Sequence, residues 1–277
     1  MRKKVAVLGR DGIEKYSLSP LIHNTFFKEN GIDGEYLAIP VLPDNLEKVL
    51  KNLQDDGYTG VNLTIPHKVN ALKFLDEIDG ATKAIGAVNT ILFKDGKMIG
   101  YNTDAFGFIE NLNNKIKDWK VNNKVLLIGA GGASRAVLYG LKTNGIDNII
   151  ICNRTYDKSV DLAKIFNCKA FCLEEINSLL KDRNFVVNTT SVGMNGNGFI
   201  DLKLDTMGKN TIVYDIIYTP LITHLLKTAK YLNFRTVDGL GMLLFQAVKA
   251  FEIWFGICPE VSNDLINKCL EKLNESR

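Results

Sequence analysis

No run of apolar residues in this chain reaches the ~18–20 that a membrane-crossing helix needs. Nor is there a block of like charge: 34 basic against 31 acidic residues leave a net charge of +3. So small and scattered an excess offers nucleic acid or an anionic membrane no electrostatic footprint. Histidine is scarce. His23, His67 and His224 stand far apart with no His-x-x-x-His spacing, so the sequence offers no metal site. The five Cys (152, 168, 172, 258, 269) contain no Cys-x-x-Cys, and their odd number argues against a disulfide framework. Buried free thiols in a reducing, cytoplasmic compartment are the expectation. The start, Met1-Arg2-Lys3-Lys4-Val5-Ala6-Val7-Leu8-Gly9, is basic, but its four apolar residues are too few for a signal peptide. It reads as a first strand. Internal repeats and low-complexity segments are also lacking.

What is present is an ordinary globular composition. The 277 residues are 46% apolar and 23% charged, enough for a sizeable core in one large or two medium domains. Strand-like and helix-like segments alternate. Strands are expected at Lys4–Leu8, Glu35–Ala38 and Gly60–Leu63, with helices from a Ser19 N-cap and Pro20 at N1 to about Asn30, at Asn45–Asp55 and at Val69–Leu75. Ala87–Phe93 and Lys97–Tyr101 flank Lys94-Asp95-Gly96 and predict a hairpin. After the polar stretch Asn111–Asn123 the alternation resumes. Strands are expected at Lys124–Ile128, Asn148–Cys152, Lys169–Phe171, Phe185–Asn188 and Thr211–Asp215, with helices at Ser134–Asn144 and Tyr156–Phe166. Past Asp238 the chain turns helical through Gly241–Phe255 and Val261–Leu273. Such alternation implies right-handed crossovers, a mainly parallel sheet and an α/β class.

The sharpest local signal is Lys124-Val-Leu-Leu-Ile-Gly129-Ala130-Gly131-Gly132-Ala133-Ser134, an apolar strand running into Gly-x-Gly-x-x-Ser and then a helix. Gly129 permits the tight turn, and Gly131 lets a pyrophosphate approach the backbone. Small Ala133 and Ser134 let the helix pack close, leaving its N-terminal amides to bind phosphate. Dinucleotide binding follows. An NAD-binding chain usually places an acid at the tip of the next strand, for the ribose 2′-hydroxyl. Here that tip reads Asn153-Arg154-Thr155. A guanidinium suits a 2′-phosphate, which it grips with two parallel hydrogen bonds, so NADP is favoured.

Hydride removal from an alcohol also needs a group to take the hydroxyl proton. Gly60-Val-Asn62-Leu-Thr64-Ile-Pro66-His67-Lys68 puts polar groups at a strand's C-terminal end, where open α/β sheets bind ligands. Gly86-Ala-Val-Asn89-Thr90 and Gly100-Tyr-Asn102-Thr103-Asp104 add amides, hydroxyls and a carboxylate. Each is also ordinary turn chemistry, Ser17-Leu-Ser19-Pro20 is also an ordinary helix start, and a lone Lys68 is also what a surface helix start carries. His23 and His67, flanked by apolar residues, read as structural.

Taken together these segments resemble the shikimate dehydrogenase family. The resemblance runs in order through Ser17-x-Ser19-Pro20-x-x-His23-Asn24, Asn62-Leu-Thr64-x-Pro66-His67-Lys68, Gly86-Ala-x-Asn89-Thr90 and Gly100-x-Asn102-Thr103-Asp104. It continues through Gly129-Ala-Gly-Gly-Ala133, Asn153-Arg154-Thr155 and Asn188-Thr189-Thr190-Ser191-x-Gly193-Met194. Asp215-x-x-Tyr218-x-Pro220 and Asp238-Gly239-x-Gly241-Met242-Leu243-x-x-Gln246 complete it.

The resemblance implies reversible, NADPH-linked reduction of 3-dehydroshikimate to shikimate, in aromatic amino-acid biosynthesis. It implies an N-terminal α/β substrate domain (1–108, completed by helices in 240–277), a Rossmann-like NADP-binding domain (109–239) and a cleft between them. Ser17, Ser19 and Tyr218 would meet the substrate carboxylate. Thr64, Lys68, Asn89, Asp104 and Gln246 would hold ring hydroxyls, with Lys68 the proton acceptor beside Asp104. Gly129, Ala130, Gly131, Gly132, Ala133, Asn153, Arg154, Thr155, Lys158, Ile216 and Gly239 would line the NADP site. The expected partners are small molecules, with neither nucleic acid nor membrane, and the assembly a monomer or homodimer.

One segment departs from the family, whose first loop reads Gly-x-Pro-[Ile/Val]-x-His. Here Gly9-Arg10-Asp11-Gly12-Ile13-Glu14-Lys15-Tyr16 is longer and lacks that Pro and His, which bears on discrimination between shikimate and quinate. A broader quinate/shikimate dehydrogenase and a non-catalytic NADP-sensing module are the alternatives. The second has no need of Lys68 and Asp104.

Overall fold

The structure, a computed structural model, describes residues 2–121 and 123–275. Its strands are β1 (Lys3–Gly9), β2 (Gly34–Pro40), β3 (Gly60–Leu63), β4 (Glu77–Ile78), β5 (Thr90–Lys94), β6 (Lys97–Tyr101), β7 (Val125–Ile128), β8 (Ile149–Asn153), β9 (Lys169–Cys172), β10 (Phe185–Asn188), β11 (Ile212–Asp215) and β12 (Arg235–Val237). Its helices are α1 (Ile13–Tyr16), α2 (Ser19–Glu29), α3 (Leu46–Asp55), α4 (Gly80–Ile85), α5 (Asp104–Lys115), α6 (Gly132–Thr143), α7 (Tyr156–Phe166), α8 (Ile176–Leu179), α9 (His224–Tyr231), α10 (Leu240–Phe255) and α11 (Asn263–Glu275). They form two compact units: the chain up to Gly107 together with the chain from Leu243 onward, and Phe108–Met242.

In the first unit the sheet order is β2-β1-β3-β5-β6-β4. The β5 strand pairs antiparallel with both β3 and β6, and every other pairing is parallel. Leu46, Leu50 and Leu53 recur at helical spacing on α3 and pack with Ala6, Leu8, Val61 and Ile91 of the sheet. A second, aromatic cluster joins Phe26, Tyr36, Phe251 and Trp254 around His23, whose ring stacks on Tyr36 at 4.2 Å. Through it α10 closes the unit: Trp254 Nε1 donates to Ile91 O at 3.0 Å. Gly60 is required beneath that bond, because a Cβ there would run into both Ile91 O and Trp254 Nε1.

The second unit holds an all-parallel sheet in the order β12-β11-β10-β7-β8-β9. Its inner strands Val-Leu-Leu-Ile, Phe-Val-Val-Asn and Ile-Val-Tyr-Asp are buried along their whole length, as a sheet covered on both faces requires. The chain steps from β7 to β8 and β9 on one side, then returns to lay β10, β11 and β12 on the other. The reversal falls between β7 and β10, the position where open α/β sheets open a ligand crevice.

Several expectations need correction. Leu18, and not Ser19, is the N-cap of α2; Ser19 is its first helical residue, and Ser17 Oγ accepts from Ser19 N at 3.2 Å. The polar stretch 111–123 is not an approach to the second unit: its first part completes α5, and Asn111, Leu112, Ile116 and Trp119 are all buried. Residues 69–75 form a short 3-10 helix, Asn70–Phe74, not an α-helix, and the first hairpin arm starts only at Thr90. The Gly9–Tyr16 segment contains α1, entered through Gly12 at φ 81°, and buries Ile13. All the cysteines are free, but only Cys152 and Cys269 are buried; Cys168 and Cys172 are half-buried and Cys258 is exposed.

Candidate active site

The antiparallel insertion of β5 has a chemical consequence. Register pairs Asn62 with Thr90 and Thr90 with Tyr101, so the ends of β3 and β6 and the start of β5 meet at one edge of the sheet. Lys68, Asn89 and Asp104 therefore converge from three separate stretches of sequence. Lys68 Nζ lies 2.5 Å from Asp104 Oδ2, with the two side chains 17% and 7% exposed. Asn89 Nδ2 donates to Asp104 Oδ1 and Thr103 Oγ1, both at 2.9 Å, with Gln246 Oε1 at 3.3 Å. Its Oδ1 accepts from Thr103 N at 2.7 Å. The backbone is pinned as tightly: Lys68 O accepts from Val88 N at 2.8 Å. Asp104 opens α5, where a negative charge suits the helix dipole, and Asn102 Oδ1 caps that start by accepting from Asp104 N at 3.1 Å. A nearly dry lysine–carboxylate pair held by an amide is built to hold or pass a proton.

A buried string of hydrogen bonds continues from this pair. Asn62 Nδ2 donates to Thr90 Oγ1 at 2.9 Å, and Tyr36 hydroxyl donates to Asn62 Oδ1 at 2.7 Å. Asn24 of α2 holds the Tyr36 backbone from the other side, Nδ2 donating to Tyr36 O at 3.0 Å and Oδ1 accepting from Tyr36 N at 2.9 Å, and burial raises the Tyr36 pKa well above the usual value. Through Asn24 and Tyr36, α2 is thus wired to the ends of β3 and β5. Tyr36 was missed by sequence reasoning, since a tyrosine in a strand looks like core; only the alternate polar position Asn62 in a buried strand hinted at a partner. Thr64 follows β3, and its Cγ2 lies where a Cβ on Gly9 would have to go, together with Ile13 Cδ1. Ile13 fills the place under the departing loop. His67 is structural, with Nε2 at 3.0 Å from Val41 O, and burial lowers its pKa. His23 is buried with no hydrogen-bond partner on either ring nitrogen among the described residues, and burial lowers its pKa to about 3.

In the second unit the Gly-rich turn joins β7 to α6 at the switch point. Gly129 has φ +114°, and a Cβ there would collide with Thr189 Oγ1 at 2.6 Å, so only glycine fits. Beside Gly131, in contrast, nothing stands within 4 Å of an added Cβ. That open space before a helix N-terminus is what a pyrophosphate needs, and the residues present fit a dinucleotide. The turn is locked by a donor chain: Gly131 N to Ser134 Oγ at 3.0 Å, Ser134 Oγ with Thr189 Oγ1 at 2.7 Å, and Thr189 Oγ1 to Ile128 O at 2.7 Å. Ala130, Gly132 and Ala133 lie in the same turn and first helical residues. Asn153 ends β8, Arg154 and Thr155 follow it exposed, and Lys158 lies in the first turn of α7. No ion pair of Arg154 forms among the described residues. Gly239 packs its α-carbon against the Ile216 carbonyl so closely that a Cβ would overlap that oxygen. Tyr218 is half-buried on this second unit, next to the cis Thr219–Pro220 bond, and so does not belong to the unit holding Ser17, Lys68 and Asp104.

The strand orders, the glycine turn and the lysine–carboxylate pair define a class: an oxidoreductase of two α/β units, one of the dinucleotide-binding kind. Comparison with known proteins narrows this. Family models described as shikimate dehydrogenase substrate binding domain, shikimate / quinate 5-dehydrogenase and shikimate 5'-dehydrogenase C-terminal domain match residues 11–91, 111–216 and 239–262. A shikimate dehydrogenase (NADP(+)) from Azorhizobium caulinodans is 43% identical over 266 residues, 95% of this chain and 94% of its own. A crystal structure of a shikimate dehydrogenase in complex with NADP+ is 39% identical with a TM-score of 0.89, covering 98% of this chain and 96% of that one. The shikimate 5-dehydrogenase of Thermus thermophilus, in complex with NADP(H) and shikimate, is 32% identical with a TM-score of 0.86, covering 99% and 100%. The chain belongs to the shikimate dehydrogenase family.

Proposed function

We propose that this protein interconverts shikimate and 3-dehydroshikimate, with the first unit holding the substrate and the second holding NADP. The Lys68–Asp104 contact of 2.5 Å, braced by Asn89, carries the reading. NADP, when bound, would supply the hydride acceptor and donor. The chain's part is the proton and the alignment. Lys68 Nζ receives the hydroxyl proton while Asp104 Oδ2 shares it, or Lys68 stays charged and stabilises the developing alkoxide; both place Nζ against the reacting oxygen. Thr64, Asn89, Asp104 and Gln246 hold ring hydroxyls. Ser17 and Ser19, at the start of α2, offer hydroxyls and a positive dipole end to the carboxylate. Arg154 would hold the 2′-phosphate with Asn153, Thr155 and Lys158 around it, Gly129 to Ala133 would hold the pyrophosphate, and Ile216 and Gly239 would support the remainder.

No helix among the described residues is long and apolar enough to cross a membrane. The free, exposed Cys258 supports work in the reducing cytoplasm, as a monomer or homodimer. The test is a steady-state comparison of shikimate with quinate, each with NADP⁺ and NAD⁺. NADP⁺ reduction by shikimate well above the other three pairs is expected. Comparable rates with quinate mark a broader quinate/shikimate dehydrogenase, and no reduction at all marks a nucleotide-sensing module.

A further inference from the structure

Asp215 ends β11 and is fully buried, yet no cation faces it among the described residues. Three donors converge on it instead. Asn188 Nδ2 and Ile217 N reach Oδ1 at 3.0 and 3.1 Å, and Thr223 Oγ1 reaches Oδ2 at 2.7 Å. Asn188 is the last residue of β10, so the carboxylate clamps the loops after two neighbouring strands. Asn188 passes the constraint on: its Oδ1 accepts from Thr190 N and Thr190 Oγ1 at 3.0 and 2.8 Å, and its carbonyl accepts from Ile216 N at 3.1 Å. Ile217 O accepts from Gly239 N at 3.2 Å, and Gly239 lies against the Ile216 carbonyl. Thr223 also caps α9 through Leu226 N.

Strand order says what these loops face. The pyrophosphate turn follows β7, and on one side β8 ends at Asn153, directly followed by Arg154, the residue proposed above for the 2′-phosphate. The other half of a dinucleotide laid across the strand ends must then pass over β10 and β11 on the opposite side. The loops after β10 and β11 carry Thr190 and Ile216, and Gly239, after β12, packs against Ile216. A fully buried carboxylate without a cation is costly to keep ionised, and burial raises this carboxyl to about 6. An acceptor on both oxygens is what the three donors need. An asparagine would have to turn its amide donor toward one set of them.

We propose that Asp215 is a positioning residue for the nicotinamide half of the cofactor, acting through the Ile216–Tyr218 turn and the Asn188–Thr190 loop that it ties together. The inference rests on the NADP reading above, and its test separates the two. NADP⁺ and adenosine 2′,5′-bisphosphate, a fragment that keeps the 2′-phosphate and lacks nicotinamide, are titrated calorimetrically into the wild type and into Asp215→Asn, Thr223→Val and Arg154→Ala. Asp215→Asn weakens NADP⁺ about tenfold and leaves the fragment within about twofold, while Arg154→Ala weakens both. Thr223→Val keeps the carboxylate, loses one bond and shifts NADP⁺ in the same direction by less; it carries the test if Asp215→Asn does not fold. Equal losses of both ligands in the Asp215 and Thr223 variants overturn the inference, because the clamp then serves only the fold of the unit. Normal NADP⁺ binding in these variants overturns it as well, with the NADP reading intact. Wild-type protein that binds neither ligand overturns that reading and the inference with it.

Discussion

The two sheets equip their strand ends in opposite ways. In the second unit the working feature at the switch point is missing side chain: no Cβ fits at Gly129, and none stands in front of Gly131. In the first unit it is crowded side chain, with Lys68, Asn89, Thr103, Asp104 and Gln246 bonded to one another. Phosphate is bound by backbone amides, so space for the ligand is enough, and one contiguous stretch of chain supplies it. A proton must be handed between side chains at fixed distance, so the groups have to be gathered and braced. The first kind of site is local in sequence, and the second is assembled by topology.

The contrast predicts its own largest effect. Lys68→Ala removes the group against the reacting oxygen, and turnover at saturating substrate is expected to fall by ~10²–10⁴. Shikimate affinity changes far less, since Asn89, Asp104 and Gln246 remain to hold hydroxyls. Steady-state kinetics with separate binding measurements check this, and near-normal turnover would transfer the proton role to Asp104.

In the second unit a charge carries the next effect. Arg154→Ala deletes charge-assisted bonds worth ~1.5–3 kcal/mol, so NADP⁺ affinity is expected to drop roughly ten- to a hundredfold. NAD⁺ has no 2′-phosphate, and its affinity stays nearly unchanged. Equal losses for the two nucleotides would show that Arg154 does not read the phosphate.

The same contrast explains what was legible beforehand. The strand, Gly-rich turn and helix at 124–144 stand in unbroken sequence, and the apolar strands of a doubly covered sheet are hard to mistake. Residues 111–123 misled because asparagines and lysines hide the buried spacing of Leu112, Ile116 and Trp119 on the inner face. In the first unit the motifs pointed to Lys68, Asn89 and Asp104, but not to Tyr36. Its bond to Asn62 spans 26 residues and depends on β1 lying between β2 and β3. The helix start at Ser19 was misread for a related reason: Ser17 bonds Ser19 N from outside the helix, one residue before the N-cap Leu18.

Behind the first unit's network lies a group that a phosphate cradle does without, the neutral imidazole of His23. Its pKa of about 3 in the folded chain is far below 6.5, because burial penalises the cation. The unfolded chain therefore binds the extra proton first as pH falls. Stability from this source is complete above pH ~6.5 and is lost as pH drops toward about 3. At pH 5 the loss is about 2 kcal/mol, from ~1.36 kcal/mol per pH unit. His23→Phe keeps an aromatic ring against Tyr36 and cannot take the proton. Urea unfolding at pH 7.5 and 5 is expected to show the wild type losing about 2 kcal/mol more than the variant between the two. Parallel losses would place the acid sensitivity elsewhere.

The smallest effect is expected where the two kinds of site overlap, at the start of α2. Ser17 and Ser19 are side chains, as in the rest of the first unit, yet they sit at a helix N-terminus like that of the phosphate cradle. Ser17 Oγ already accepts from Ser19 N at 3.2 Å, and Ser19 is buried in the first turn of α2. The Ser17 hydroxyl thus has structural work even without ligand. The backbone amides and the dipole of α2 survive replacement of the side chains, so a carboxylate keeps part of its binding. Replacing both serines by alanine is therefore expected to raise KM for shikimate about tenfold, the loss of one to two net hydrogen bonds, with NADP⁺ affinity unchanged. A purely structural role gives a different pattern: a lower melting temperature with KM unaltered. Measuring both on the same preparation decides between carboxylate binding and helix support, because only the first ties the substrate's affinity to the two hydroxyls.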